Sequence, residues 1–188
     1  MDYRCFIAID LPEPIKTQIG RVVDVLKKYD ADVKWVAVEN FHITLRFLGS
    51  TDESLIPSIK TALTSVASSY EPFYINIVGT GVFPGRKNPR VCWVGIGGSD
   101  TLKKLKEDIE ISMVQFGFER EDKEFRPHLT IGRVRTPKGI IRVVNEFGFF
   151  EDQDFGTFRV DNMKIMKSDL KPGGPVYTSL NDIPLGKA

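Results

Sequence analysis

Histidine and cysteine are scarce in this chain of 188 residues, which contains two of each. Cys5 and Cys92 stand alone inside apolar, strand-like runs, without a CxxC pair or a Cys/His cluster. That arrangement is typical of reduced thiols that act as small apolar side chains in a core. With so few soft ligands, a zinc site is not expected, and no metal or other cofactor is predicted.

The chain also lacks an excess of either charge and has no long apolar run. Lys+Arg 26 against Asp+Glu 25 gives a net charge of +1, so any nucleic acid is expected to be bound locally and not through a general positive field. No apolar run approaches the roughly 20 residues of a membrane-spanning helix, and the first residues lack the regions of a signal peptide. We therefore expect a cytoplasmic protein with no membrane partner.

Length and apolar periodicity predict a single α+β domain with two lobes, spanning residues 1–188. Several strands follow one another directly, so two largely antiparallel sheets with outer helices are favoured over a parallel sheet. Helical spacing of apolar residues predicts helices at 15–26, 52–69, 100–116 and 138–146. Strands are predicted at 3–11, 33–38, 41–48, 73–79, 90–96, 127–134, 157–168 and 174–180.

Both histidines occur in the same four-residue pattern. HITL contains His42 and Thr44, and HLTI contains His128 and Thr130. Because side chains alternate between the faces of a strand, each histidine shares a polar face with its threonine, while the apolar residues face a core. One HxT pattern alone is most often structural. Two copies that use every histidine in the chain indicate one functional site.

Two opposed imidazoles suit a reaction in which one proton leaves a nucleophile and another reaches a leaving group. An unperturbed imidazole titrates at about 6.5, so it can take either role near neutral pH. Threonine hydroxyls and backbone amides can donate hydrogen bonds to the non-bridging oxygens of a phosphate. The pattern therefore predicts opening of a cyclic phosphodiester without a metal ion.

Three arginines flank the motifs and are candidate phosphate ligands. Arg126 and Arg133 lie on either side of the second motif. Strict alternation places Arg133 on the face opposite to His128, unless Gly132 marks a bulge that redirects it. Alternation places Arg46 on the same face as the first histidine. Each arginine has an ordinary interpretation as a solvated surface charge.

Aromatic residues and a basic turn are further candidates for RNA contact. Strict alternation places Phe47 in the core. Trp35, Trp93 and Tyr177 could stack on a base, although aromatic residues in apolar strands are mostly core residues. The basic turn consists of Arg86, Lys87 and Arg90, and most charge runs of this kind are solvated surface.

The two motifs and their flanks resemble the 2H phosphoesterase superfamily, specifically its RNA 2',3'-cyclic phosphodiesterase branch, also called 2'-5' RNA ligase. The similarity spans nearly the whole chain and rests on RCFIAIDLP, WVAVENFHITLRFLG, FRPHLTIGRV and GPVYTSLNDIPL. It implies a bilobal fold in which the motifs lie on central strands that line a cleft. It also implies hydrolysis of RNA ends that carry a 2',3'-cyclic phosphate, such as those of tRNA fragments, to a 2'-phosphomonoester, together with reversible 2'-5' ligation.

The resemblance also implies residue roles. His42 matches the proton donor to the leaving 3'-oxygen, and His128 matches the proton acceptor that activates water. Thr44 and Thr130 match the hydroxyls that contact the phosphate. A monomer without a cofactor is expected. Two alternatives remain: a 2H phosphodiesterase of small cyclic nucleotides or 2'-5' oligonucleotides, and a catalytically inactive module that binds a nucleotide or RNA in the same cleft.

Overall fold

The computed structural model describes residues 1–98, 100–121 and 124–187. Within these residues the strands are β1 (Asp2–Asp10), β2 (Val33–Trp35), β3 (His42–Asp52), β4 (Phe73–Phe83), β5 (Val91–Gly97), β6 (His128–Val134), β7 (Asp154–Val160), β8 (Asn162–Lys171) and β9 (Gly174–Pro184). The helices are α1 (Glu13–Lys27), α2 (Ile56–Ala67), α3 (Asp100–Met113) and α4 (Ile140–Glu146).

The strands form two sheets. One sheet has the order β3-β1-β8-β9 and the other has the order β2-β6-β5-β4-β7. Every neighbouring pair is antiparallel. The first sheet therefore combines the N-terminal strands with the last two strands, while the middle of the chain supplies most of the second sheet. The predicted α+β class, with antiparallel sheets and outer helices, is confirmed.

The helices form because each presents one apolar stripe to the sheets. In α1, Ile15, Ile19, Val23 and Leu26 recur at steps of three or four residues and are at most 5% exposed. Burial of each such side chain stabilises the fold by about 1.5–3 kcal/mol before entropy is counted. Among the described residues, no helix is both long and apolar enough to cross a membrane.

The predicted strand at 157–168 is in fact two strands. It is interrupted at Asp161, where β7 ends and β8 begins. β7 pairs with β4 in the second sheet, whereas β8 pairs with β1 in the first sheet. The carbonyl of Asp161 accepts a hydrogen bond from the backbone N–H of Leu185 at 2.8 Å. The chain thus passes from one sheet to the other at this residue.

Candidate active site

The two motif strands lie at the junction between the sheets, where β3 packs beside β6. His42 is the first residue of β3, and His128 is the first residue of β6. The family resemblance implies that both motif strands are central in their sheets. This is correct for β6, which lies between β2 and β5, but wrong for β3, which is an edge strand of its sheet. That edge position leaves β3 free on one side to approach the other sheet.

The two histidines make the same hydrogen bond. Nδ1 of His42 lies 2.8 Å from the carbonyl oxygen of Asn40, and Nδ1 of His128 lies 2.6 Å from that of Arg126. In each case the partner is the residue two positions earlier. A carbonyl oxygen only accepts, so each ring carries its proton on Nδ1. Nε2 is therefore the atom of each ring that can exchange a proton with a substrate.

Alternation fails after the first motif because β3 contains a β-bulge. Thr44 lies opposite Ala8, whereas Arg46 lies opposite Ile7, so Leu45 has no partner on β1. One extra residue moves the following side chains to the other face. The prediction that Arg46 shares a face with Thr44 is therefore wrong. Arg46 is 4% exposed and lies with Ile7 on the core side.

The same bulge turns Phe47 to the site face, where it is 54% exposed. The prediction that Phe47 lies in the core is therefore wrong. Its ring centroid lies 6.1 Å from that of Phe6. Phe6 also packs on His42 at 4.8 Å and on Tyr177 at 5.0 Å. The edge-to-face contact between His42 and Tyr177 spans 5.2 Å. Phe6, Phe47 and Tyr177 thus form an aromatic cluster around the first imidazole.

A matching bulge follows the second motif. Thr130 lies opposite Trp93 and Arg133 lies opposite Val91, while Ile131 has no partner on β5. Trp93 and Val91 are two residues apart on one strand and share a face, so Thr130 and Arg133 opposite them share that face as well. The bulge that was predicted at Gly132 is confirmed. Arg133 therefore lies on the site face.

Arg133 also acts on the aromatic cluster of the first sheet. Burial raises the pKa of the Tyr177 hydroxyl, and the positive charges of Arg133 and Arg4 partly oppose that effect. Tyr177 belongs to the first sheet and Arg133 to the second, and the motif strands β3 and β6 of these two sheets contact each other. The two site faces therefore border one cleft. The predicted central cleft is confirmed.

Burial dominates the electrostatics of the first imidazole and lowers the pKa of His42. The hydrogen bond to Asn40 and the charge of Asp10 raise this pKa, and the charge of Lys16 lowers it, all by less than burial does. Asp10 lies opposite His42 on β1 and contacts the Lys16 ammonium at 2.8 Å. The free protein therefore holds His42 as neutral imidazole at neutral pH, and an anion in the cleft would favour its protonation.

We expect His42 to titrate below the value of about 6.5 that is typical of free imidazole. A lowered pKa means that the protonated ring is lost at lower pH, so a donor role for His42 would make kcat/KM fall as the pH rises through that pKa. The chain has two histidines, so an NMR titration should show two imidazole signals. The signal that is lost in the variant His42→Gln is that of His42. Inorganic phosphate should raise the His42 midpoint. A midpoint at or above 6.5 without phosphate would contradict control by burial.

The three aromatic candidates differ in position. Tyr177 and Trp93 lie on the site faces of their sheets. Trp35 lies opposite Gly132, whose missing side chain leaves room for it, because a Cβ there would come within 2.9 Å of the indole. Gly132 comes directly after the bulged residue, and its side-chain position lies on the face of the strand opposite to Arg133. Trp35 is therefore a packing residue, and its predicted stacking on a base is not favoured.

Two of the exposed basic candidates have acidic partners. Arg126 donates to Glu124 at 3.2 Å and keeps 68% of its side chain exposed. It lines a cavity beside the second histidine, so its role as a phosphate ligand stays a prediction. In the basic turn, Arg86 donates to Glu151 at 3.2 Å. That contact is an ordinary surface ion pair, so it does not distinguish RNA binding from a solvated surface.

A buried charge network behind the site was not predicted. Arg46 contacts Glu110 at 2.6 Å and Glu121 at 3.6 Å. Lys106 pairs with the same two carboxylates and lies 3.2 Å from Glu121. Arg46 also donates to the carbonyl of Glu119. The network therefore ties β3 and α3 to the segment that leads toward the second histidine.

Each of the two antiparallel sheets presents one HxT motif to the same cleft. This arrangement defines a two-histidine phosphoesterase fold. The chain belongs to the 2'-5' RNA ligase superfamily, whose family model matches residues 11–172. A curated relative from Methanothermobacter thermautotrophicus is 36% identical, over 96% of this chain and 97% of its own length. Another from Thermotoga maritima is 38% identical, over 94% and 92%. Both are named RNA 2',3'-cyclic phosphodiesterase.

Solved structures share the fold. A protein of Thermus thermophilus superposes with a TM-score of 0.79 at 28% identity, covering 98% of this chain and 100% of its own. Escherichia coli LigT complexed with 3'-AMP superposes with a TM-score of 0.73 at 23% identity, with both chains fully covered. The likeness to LigT concerns the fold alone.

Proposed function

We propose that this protein hydrolyses RNA ends that carry a 2',3'-cyclic phosphate and releases a 2'-phosphomonoester. The observation that carries the proposal is the repeated arrangement of His42 and His128. Each imidazole is held through Nδ1 by a backbone carbonyl, each starts its strand, and the two strands meet at one cleft. The names of the curated relatives support this substrate and reaction.

In the proposed reaction, Nε2 of His128 accepts a proton from water while the water oxygen attacks phosphorus. The bond from phosphorus to the 3'-oxygen breaks, and Nε2 of His42 gives its proton to that oxygen. The products are a 2'-phosphomonoester and a free 3'-hydroxyl. Each proton transfer of this kind typically contributes about 10²- to 10⁴-fold in rate. The anionic substrate supplies the charge that favours protonated His42 despite its burial.

Four side chains are proposed to hold the phosphate. Thr44 and Thr130 share the faces of their histidines and can donate hydrogen bonds to the non-bridging oxygens. Arg133 lies on the same face as Thr130 and can offset the negative charge that develops at phosphorus. Arg126, beside the second histidine, is a further proposed contact. Both threonines precede the bulge of their strand, so alternation alone keeps each of them on the face of its histidine.

RNA ends are favoured over the alternative substrates. The two curated relatives described above align over nearly the whole chain and are named for RNA, and neither is named for a free cyclic nucleotide. The repeated pair of oriented imidazoles favours catalysis over binding alone. A catalytically inactive module would have no need for two rings with the same fixed tautomer.

The proposal includes the setting of the enzyme. We infer that residues 1–188 act as one two-lobed domain, as a monomer in the cytoplasm, on RNA such as tRNA fragments. Cys5 and Cys92 are buried free thiols, and burial raises the pKa of Cys92 to about 12. Thiols of this kind are unreactive core residues, which agrees with a reducing compartment.

The proposed activity is tested by product analysis on an RNA oligonucleotide with a 2',3'-cyclic end, in excess chelator. The expected product carries its phosphate on the 2'-oxygen, and the rate should be unchanged by the chelator because two imidazoles suffice for the proton transfers. End-group analysis identifies the phosphate position. A 3'-phosphate would mean that the donor and acceptor lie on the opposite sides of the ring. Loss of activity that added divalent metal restores would contradict the metal-independent reaction.

A further inference from the structure

The buried charge network lies behind the site, on the core side of β3, and no step of the hydrolysis uses it. Arg46, Lys106 and Glu110 are each at most 5% exposed. Removal of charges from water costs free energy that their mutual attraction often fails to return, so such a network is weak evidence of stability. In some proteins, buried charges instead hold the parts of the molecule in one arrangement.

One end of the network holds the chain that follows α3. Arg46 donates a hydrogen bond to the backbone carbonyl of Glu119. The backbone N–H of Glu121 donates to the Glu110 carboxylate at 3.2 Å. The side chain of Glu121 lies 3.2 Å from the Lys106 ammonium and 3.6 Å from Arg46. Both the backbone and a side chain of this stretch are therefore bound to the network.

The second histidine follows the network after a short, stiff link. The Lys106 ammonium lies 5.7 Å from the ring centroid of Phe125, where a cation attracts the face of an aromatic ring. The next residue, Arg126, holds Nδ1 of His128 through its carbonyl oxygen. Pro127 has a fixed φ and restricts the residue before it to extended backbone. The position of Phe125 therefore determines that of the imidazole.

The other end of the network lies on the strand of the first histidine. Arg46 stands four residues after His42 on β3. β3 and β6 belong to different sheets, so no ladder of backbone hydrogen bonds joins the two motif strands. The contact of Arg46 with Glu110 at 2.6 Å is a charged connection from β3 to α3. The network thus connects the two halves of the site where the sheets do not.

We propose that the buried charge network sets the position of the two imidazoles relative to each other, which makes Arg46 and Glu110 positioning residues for the hydrolysis. The inference rests on the proposed function, in which both rings act on one phosphorus atom. Nε2 of His128 takes a proton on one side while Nε2 of His42 gives one on the other. The rate then depends on the separation and orientation of the two rings.

The chemistry of arginine suits this role. A guanidinium group is planar and donates hydrogen bonds in fixed directions, so it holds a geometry more strictly than an apolar contact does. Arg46 uses one terminal nitrogen for Glu110 of α3 and the other for the carbonyl of Glu119. A single side chain of β3 thus fixes both the helix and the chain beyond it. Methionine would fill similar space without these directions.

The test uses the charge-balanced variant Arg46→Met/Glu110→Gln, in which Lys106 keeps Glu121 as its partner. The kcat for a 2',3'-cyclic RNA end should fall by about 10- to 100-fold, since a displacement of about 1 Å at a reacting group can cost about 10²-fold. The KM should change by less than about threefold, because the residues proposed to hold the phosphate are intact. Steady-state kinetics separate the two values at a temperature where circular dichroism shows each variant folded.

Two further variants separate position from stability. Ile75→Ala removes a core side chain that is 1% exposed, at a point of β4 that pairs with β7, the edge strand farthest from β6. It should lower stability through a cavity and leave kcat within about twofold. Glu121→Gln weakens the network at a side chain that is 42% exposed, so its fold should survive. Its kcat should fall by less than that of the charge-balanced variant, again at unchanged KM.

An NMR comparison reads the position without any substrate. The two imidazole signals report the two halves of the site separately. In the charge-balanced variant the His128 signal should shift, because the carbonyl that holds this ring follows directly after Phe125. In Ile75→Ala both signals should stay at their wild-type positions.

The possible outcomes are distinct. Wild-type kcat and unchanged signals in the charge-balanced variant would overturn the inference. Equal losses of kcat in Ile75→Ala would overturn it too, since stability would then be the cause, and so would a raised KM at unchanged kcat. Wild type that never hydrolyses a cyclic end would overturn the proposed function. In that case a His128 shift confined to the network variants would still uphold the positioning, and its absence would overturn it.

Discussion

Alanine in place of either His42 or His128 should lower kcat for a 2',3'-cyclic RNA end by roughly two to four orders of magnitude. Each variant removes one of the two Nε2 atoms that are proposed to move a proton. Both rings are only half-buried and start their strands, so the fold should survive the substitution. Single-turnover kinetics measure the loss, and circular dichroism with urea unfolding checks the fold.

The double variant should be little slower than the slower single variant. Two groups that transfer protons in one reaction act as a unit, so the second loss costs little once the first has occurred. A product of the two single losses would show that the imidazoles act independently. Near-normal turnover in either single variant would support the alternative in which the cleft only binds RNA or a nucleotide.

Replacement of Arg46 by Met should destabilise the protein by about 3–5 kcal/mol, because it leaves Glu110 and Glu121 to share Lys106 as their single cation, an excess of one negative charge. Arg46 and Glu110 are both 4% exposed, and their charged atoms lie 2.6 Å apart. The free energy of unfolding in urea measures the effect. Lys27→Met, which breaks an exposed ion pair to Asp24, is the matched control and should change stability little.

The double variant Arg46→Met/Glu110→Gln separates charge from packing. It leaves Lys106 paired with Glu121, so the buried charges are balanced again. We expect it to be more stable than Arg46→Met alone. If the double variant were the less stable of the two, the loss would come from the packing of the long side chain and not from an uncompensated carboxylate.

The faces of the two HxT patterns could be predicted because they need only local information. Alternation along a strand fixes His42 beside Thr44 and His128 beside Thr130, whatever the neighbouring strands are. The bulges are different, since each depends on how the strand registers with its partner. One bulge had a signal in the sequence, the glycine before Arg133. The other bulge lies at Leu45, which has no glycine beside it in the sequence. Arg46 and Phe47 were therefore assigned to the wrong faces.

The buried charge network shows a second limit. Lys106 and Glu110 stand four residues apart in α3, a spacing that usually describes an exposed pair on a helix. Their partner Arg46 comes from a strand far earlier in the chain, and Glu121 comes from beyond the helix. No local pattern in the sequence indicates that these four charges lie together. The division of 157–168 between two sheets was missed for the same reason, because it follows from pairings made elsewhere.

The order of strands in the first sheet has a consequence for the protein as it is being made. β1 pairs with β8, and the ring that packs against the edge of His42 is Tyr177 on β9. A ribosome therefore synthesises all five strands of the second sheet before the two strands that complete the first sheet. Until then β1 keeps one edge unpaired, and long-range pairing of this kind forms late. An unfinished chain, held close to messenger and transfer RNA, consequently lacks a complete His42 site until its last strands have emerged.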